Sequence, residues 1–199
     1  AGRRPEGRLV MSRLLINFTL FQAGWFSCVL GGANGLPWIG PLVVASVVAV
    51  HLAFARRPSR ELLLVAAASL MGLVADSLLV VAGWVSYPSG NWLPGFAPYW
   101  IIAMWALFAT TLNLSMKWMR GRWTLAAMMG AVGGPLSYLA GSRLGAMSFE
   151  EPVTALLALT VIWAVVMPLL MLLSTRLDGF SVAQKPDYVH DDWRVSHHA

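Results

Sequence analysis

Apolar residues run along most of this chain in long blocks, broken at intervals by short polar or glycine-rich stretches. A helix needs about 20 such residues to cross a bilayer. Six blocks reach or approach that length, at Leu14–Gly31, Leu36–Ala55, Glu61–Trp84, Ala97–Trp118, Trp123–Ala140 and Val153–Thr175. The pattern predicts an all-α fold, a polytopic membrane bundle of about six transmembrane helices over residues 14–175. Proline placement agrees with these starts. Pro37, Pro98 and Pro152 fall in first turns, where the missing N–H costs little, and Pro41 lies a turn further into the second block. Ser148 and Glu151 have capping-box spacing ahead of the sixth block. Pro168, inside that block, predicts a kink.

Composition supports the membrane class. Only 12% of the 199 residues are charged and the mean hydropathy is +0.66, whereas a soluble domain carries about 25% charge. The net charge of +5 would suit nucleic acid. The basic residues, however, sit in short connections between apolar blocks, where they set orientation in a membrane, so no nucleic-acid partner is expected. Arg3, Arg4, Arg8 and Arg13 precede the first block; Arg56, Arg57 and Arg60 occupy the second connection; Lys117, Arg120 and Arg122 occupy the fourth. The first and third connections, GANG and VSYPSGNWLPGF, hold no charge, and the fifth sets Arg143 against Glu150 and Glu151. The positive-inside rule then places both ends in the cytoplasm, N-in and C-in. Residues 1–13 read as a basic cytoplasmic segment and 176–199 as a polar, flexible cytoplasmic tail, in which Gly179 should tolerate a bulky side chain. More apolar blocks follow the first, so it reads as a retained helix and not a cleaved signal. Trp25, Trp38, Trp84, Trp92, Trp100, Trp118 and Trp123 fall near block ends, as an interfacial aromatic belt requires. The single Cys28 can form no internal disulfide and reads as a small buried apolar residue.

The stretch GAVGGPLSYLAGSRLGA, Gly130–Ala146, is unusual for a spanning segment. Ala126, Gly130 and Gly134 recur every four residues and share one helix face. Such small-residue faces let two backbones approach closely. Gly133, Gly134 and Pro135 also loosen a helix, so a second reading is a broken segment whose freed backbone groups bind a ligand. Asp76, in MGLVADSLLVVAGW, is a carboxyl among apolar neighbours and hence a functional candidate. It stands 15 residues past Glu61, roughly 22 Å along a helix. Tyr138 stands equally far past Trp123, on a span of the same direction, with Ser137 beside it. Arg143 can snorkel back toward that level. The spacing predicts a cluster of Asp76 with Tyr138, Ser137 or Arg143, serving as a packing lock, a catalytic group or a proton carrier. Asn17, Gln22 and Asn113 read as amides that hold helices together, and His51 as a packed or interfacial residue. The chain has no GxxxxGK[ST], HExxH or GxSxG motif. A second intramembrane histidine for haem and a zinc ligand set are both missing, so no cofactor or metal is expected.

Four stretches together carry a resemblance: NFTLFQAGWFSCVLGG, Asp76 followed by Gly83, PYWIIAMWALFATTLN and, most specific, GAVGGPLSYLAGSRLGA. Over about Leu14–Thr175 the chain resembles an uncharacterised bacterial inner-membrane family of the domain-of-unknown-function type. The resemblance implies an all-helical fold, the bacterial cytoplasmic membrane and a lipid context, and no particular activity. The function expected is a non-catalytic accessory or binding subunit, with membrane lipids and a membrane protein as partners. The rivals are an intramembrane lipid-modifying enzyme and a small proton-coupled carrier, each using Asp76.

Overall fold

The computed structural model describes residues 4–181, with side chains from residue 11 onward. Six helices form one bundle: α1 (Arg4–Ala33), α2 (Ile39–Phe54), α3 (Pro58–Val81), α4 (Tyr99–Leu112), α5 (Trp123–Arg143) and α6 (Pro152–Arg176). The fold is all-α, as the apolar blocks predict. Among the described residues, three helices are long and apolar enough to cross a bilayer: α1 from Met11 to Ala33, α3 and α6. The apolar α2 and α4 are shorter, at 16 and 14 residues. The bundle carries leucines, valines and phenylalanines outward, among them Phe18, Leu70, Leu78, Val132, Leu157 and Val161. Its interior holds Asn17, Glu61, Asp76 and Asn113. Apolar outside and polar inside is the arrangement of a chain whose solvent is lipid.

The connections gather at two ends. At one end Ser89 Oγ donates to the carbonyl of Gly32, tying the α3–α4 connection to the last turn of α1. Two-residue strands, β1 (Val85–Ser86) and β2 (Ser148–Phe149), pair antiparallel and tie the α3–α4 connection to the α5–α6 connection. At the other end the Arg57 N–H donates to the Gly179 carbonyl, and Arg120 donates to Ser174 and Asp178. Odd connections therefore share one end and even connections the other, as a chain that reverses at every turn requires.

The strands correct the expected capping box. Ser148 pairs with Ser86 in the ladder, and the α6 N-cap is Glu151, with no side-chain cap hydrogen bond. Strands of two residues show no alternation for a pattern reading to detect. The fourth block also ends earlier than its hydropathy suggests. Thr110 and Thr111 turn their hydroxyls back to the carbonyls of Leu107 and Phe108, and α4 stops at Leu112.

Packing follows the small residues. Helix α4 is the hub, lying against α1, α2 and α3, while α5 packs along α6. Ala126, Gly130 and Gly134 are all buried on the α5 face that meets α6. A Cβ on Gly130 would strike the Trp163 carbonyl, and one on Gly134 would strike the Trp163 side chain. Pro135 is buried inside α5, yet the helix is continuous from Trp123 to Arg143. The helix is therefore not broken here, and Gly130 and Gly134 are accounted for by the close α5–α6 face. Cys28 is buried against Gly40, where α1 and α2 touch.

Candidate functional site

Asp76 lies in α3 and is fully buried. Its Oδ1 accepts from the Tyr138 hydroxyl at 2.6 Å and from the Tyr87 hydroxyl at 3.3 Å. Its Oδ2 accepts from the Trp105 indole N–H at 2.7 Å. The carboxyl thus joins α3, α4, α5 and the α3–α4 connection. One turn before it, Gly72 leaves room for the Trp105 ring, which a Cβ there would hit. The depth relation between Asp76 and Tyr138 holds. Two other expected partners do not. Ser137 is half-buried and lines a cavity on the other side of the Tyr138 ring, and Arg143 is exposed at the last turn of α5. Three neutral donors occupy the carboxyl oxygens, so an arginine that would have to leave water to reach them gains little. Sequence spacing missed Tyr87 and Trp105. Only the Gly72-to-Asp76 interval, one helical turn with a missing side chain, hints that something large packs there.

The cavity has a volume of about 410 Å³ and is walled by α1, α4, α5 and α6. Trp25, Trp100, Trp105 and Trp163 form much of its surface, with four glycines of α5. Trp105 and Trp163 stack with ring centroids 4.6 Å apart. Six of the ten methionines line it, and no leucine does. Methionine side chains adapt to irregular apolar shapes better than branched aliphatic ones. Gln22, expected to hold helices together, is half-buried and faces this cavity with Ser137. Trp25 and Trp100, expected in an interfacial belt, are instead part of the wall. Trp100 is buried, and its N–H donates to the Ser89 carbonyl. Asp76 does not line the cavity; Tyr138 and Trp105 stand between.

A second polar cluster lies at the opposite end. Glu61 is fully buried; its Oε1 accepts from Asn113 Nδ2 and from the Gly179 N–H, both at 2.6 Å. Its Oε2 lies 2.9 Å from His51 Nε2. Arg120 donates to Asn113 Oδ1 and, at 2.6 Å, to Asp178. Asn17 donates to the Thr110 carbonyl and accepts from Ser115, so it and Asn113 do join helices as expected. Burial opposes ionisation of Asp178. Hydrogen bonds from Ser181, Arg120 and the Phe180 N–H more than offset it and hold the carboxyl well below the usual range. Residues 177–181 thus form a strap across the bundle end. Gly179 is buried there, and a Cβ on it would meet the Arg57 carbonyl at 2.6 Å, so the expected tolerance at this position is overturned. Residues 182–199 of the expected tail lie outside the described residues, as do residues 1–3. Glu61 escaped sequence reading because it follows Arg60 at a helix start, where a carboxylate is ordinarily solvated. Among the described residues, no three His, Cys, Asp or Glu side chains are grouped to hold a metal.

Residues 14–169 match the model of a family described as a protein of unknown function, DUF2878. No curated protein and no solved structure matches the chain.

Proposed function

We propose that this chain, which belongs to the family DUF2878, is a non-catalytic binding subunit of the bacterial cytoplasmic membrane. In this reading it has six spans with both ends inside, and works beside lipid-handling or other envelope proteins. The cavity carries the reading. Its wall offers rings, thioethers and glycine backbone, while the acid Asp76 stands behind Tyr138 and Trp105. A general acid or base must come within hydrogen-bond reach of its substrate. Asp76 has its oxygens occupied by three protein donors and no face on the cavity.

The test uses the full chain in a deletion strain scored by membrane lipid composition. Asp76→Asn, which lies behind the cavity wall, should fold and restore the wild-type composition. Failure of a folded Asp76→Asn protein to restore it would overturn the binding reading in favour of an intramembrane enzyme or a proton-coupled carrier.

A further inference from the structure

We infer that the occupant of the cavity is one acyl tail of a membrane lipid, entering sideways between α1 and α5. This rests on the binding-subunit reading and names its ligand. Length is the first reason. Along α5 the cavity runs from Met129 to Gly141, twelve residues or about 18 Å at the helical rise. One leaflet of a bilayer offers about half of a 30 Å hydrocarbon core, or roughly 15 Å. The space therefore matches a single extended tail lying along the helices. Its volume of about 410 Å³ falls within the range of about 300–1,000 Å³ typical of ligand sites.

The wall chemistry is the second reason. Beside the Tyr138 hydroxyl, which is bonded to Asp76, the polar groups on the wall are the Gln22 amide, the Ser137 hydroxyl and the indole N–H groups, of which that of Trp163 is buried without a hydrogen-bond partner among the described residues. A charged solute would lose most of its water there without replacement, whereas a hydrocarbon chain needs none.

The third reason is the mouth. Helix α1 packs on α2 and α4, and α5 packs on α6; α1 and α5 make at most isolated contacts with each other. On the α5 rim Met129 lines the cavity and is 49% exposed. On the α1 rim Trp25 lines it, with exposed Phe26 edge-on against its ring. Apolar side chains of the outer surface thus lead into the cavity at both rims, and a lipid tail can follow them.

Gly133 and Gly141 make the inference testable. Both line the cavity. A Cβ on Gly133 would meet open space, and one on Gly141 would only touch Met147 Sδ at 4.0 Å. Gly133→Phe and Gly141→Leu should therefore fill the cavity without disturbing the bundle. The full chain is reconstituted in phosphatidylcholine vesicles containing a phosphatidylcholine with a diazirine on its acyl tail, irradiated, and its adducts mapped by mass spectrometry. Wild type should carry adducts on Trp163 and Met167 in the cavity and on the outward Val161 and Val165. In both variants the cavity adducts should fall about tenfold, the factor expected when about two methylene groups lose their contacts. The outward adducts should stay unchanged, which also reports an intact fold. Cavity adducts that are absent in wild type, or that persist in both variants, overturn the inference. Labelling of the cavity by a diazirine-bearing polyprenol but not by the phospholipid overturns the acyl tail and leaves the binding reading standing. A cavity that neither probe labels, in a protein that carries no apolar molecule in native mass spectrometry, overturns both.

Discussion

Asp76 shows how one side chain can be replaced in two ways with opposite results. Trp105 can only donate, whereas the hydroxyls of Tyr87 and Tyr138 can donate or accept. In Asp76→Asn the amide oxygen can face the indole and the amide nitrogen can face the phenols, so every group keeps a partner. Thermal stability in detergent should change little, by about 1 kcal/mol or less, given that hydrogen bonds between membrane helices average about 0.6 kcal/mol. Asp76→Leu leaves two phenols and one indole unpaired in the interior. Each such loss costs about 1–3 kcal/mol in a buried site, so the variant should melt well below wild type. Equal melting of the Asn and Leu variants would show that the three hydrogen bonds contribute nothing. Asp178 makes a second residue-scale prediction, with the opposite emphasis on charge. Its carboxyl is held below the usual range, so its contribution is complete above the unfolded carboxylate value, about 3.9. It is lost only as pH falls through the lower folded value. Protection of the Phe180 and Ser181 amides, which donate to Asp178, should persist from neutral pH down to about pH 4, once corrected for intrinsic exchange. Loss of protection already near pH 6 would contradict the hydrogen-bond set. Asp76 was legible from sequence as a lone acid among apolar residues, and Tyr138 from equal depth. Tyr87 was not, because a loop residue has no depth that periodicity can assign.

Helix α5 separates three glycines that look alike in sequence. Gly130 and Gly134 face α6 at distances that admit no Cβ, whereas Gly133 faces open space. Adding one methyl group at either interfacial position should destabilise by about 1–3 kcal/mol, since a packed face must shift to admit it. Adding one at Gly133 should stabilise by about 0.5–1 kcal/mol, because alanine loses less backbone entropy in a helix than glycine does. Melting temperatures of Gly130→Ala, Gly134→Ala and Gly133→Ala in one detergent check this, and a stabilised Gly134→Ala would refute the α5–α6 interface. The four-residue spacing made that face legible. The spacing could not say that α6 was the partner or that Trp163 filled the groove. The residues around Pro135 also suggested a break, whereas α5 runs unbroken from Trp123 to Arg143.

At the scale of the whole molecule, the two sets of connections should lie on opposite sides of the membrane. Tags near residues 58 and 121 should report one side and tags near residues 90 and 148 the other, with cytoplasm for the first pair, where the basic residues cluster. A tag after residue 181 should share the side of the first pair, because the strap that precedes it is bonded to Arg57, Glu61 and Arg120. A C-terminal tag reporting the opposite side would refute the six-crossing path. The sequence by itself determined the helical class, the number of apolar blocks and the alternation of charge among connections. These depend on local composition and on the length of chain that a bilayer must accommodate. Only the tertiary structure decided which polar groups meet. Glu61 joins Asn113, His51 and Gly179 across three helices and the strap, and Asp76 binds donors 11, 29 and 62 residues away. The cavity belongs to the same class of fact. It is the space left where α1 and α5 fail to touch, and a space between helices is set by how all their side chains pack, which no single stretch of sequence encodes.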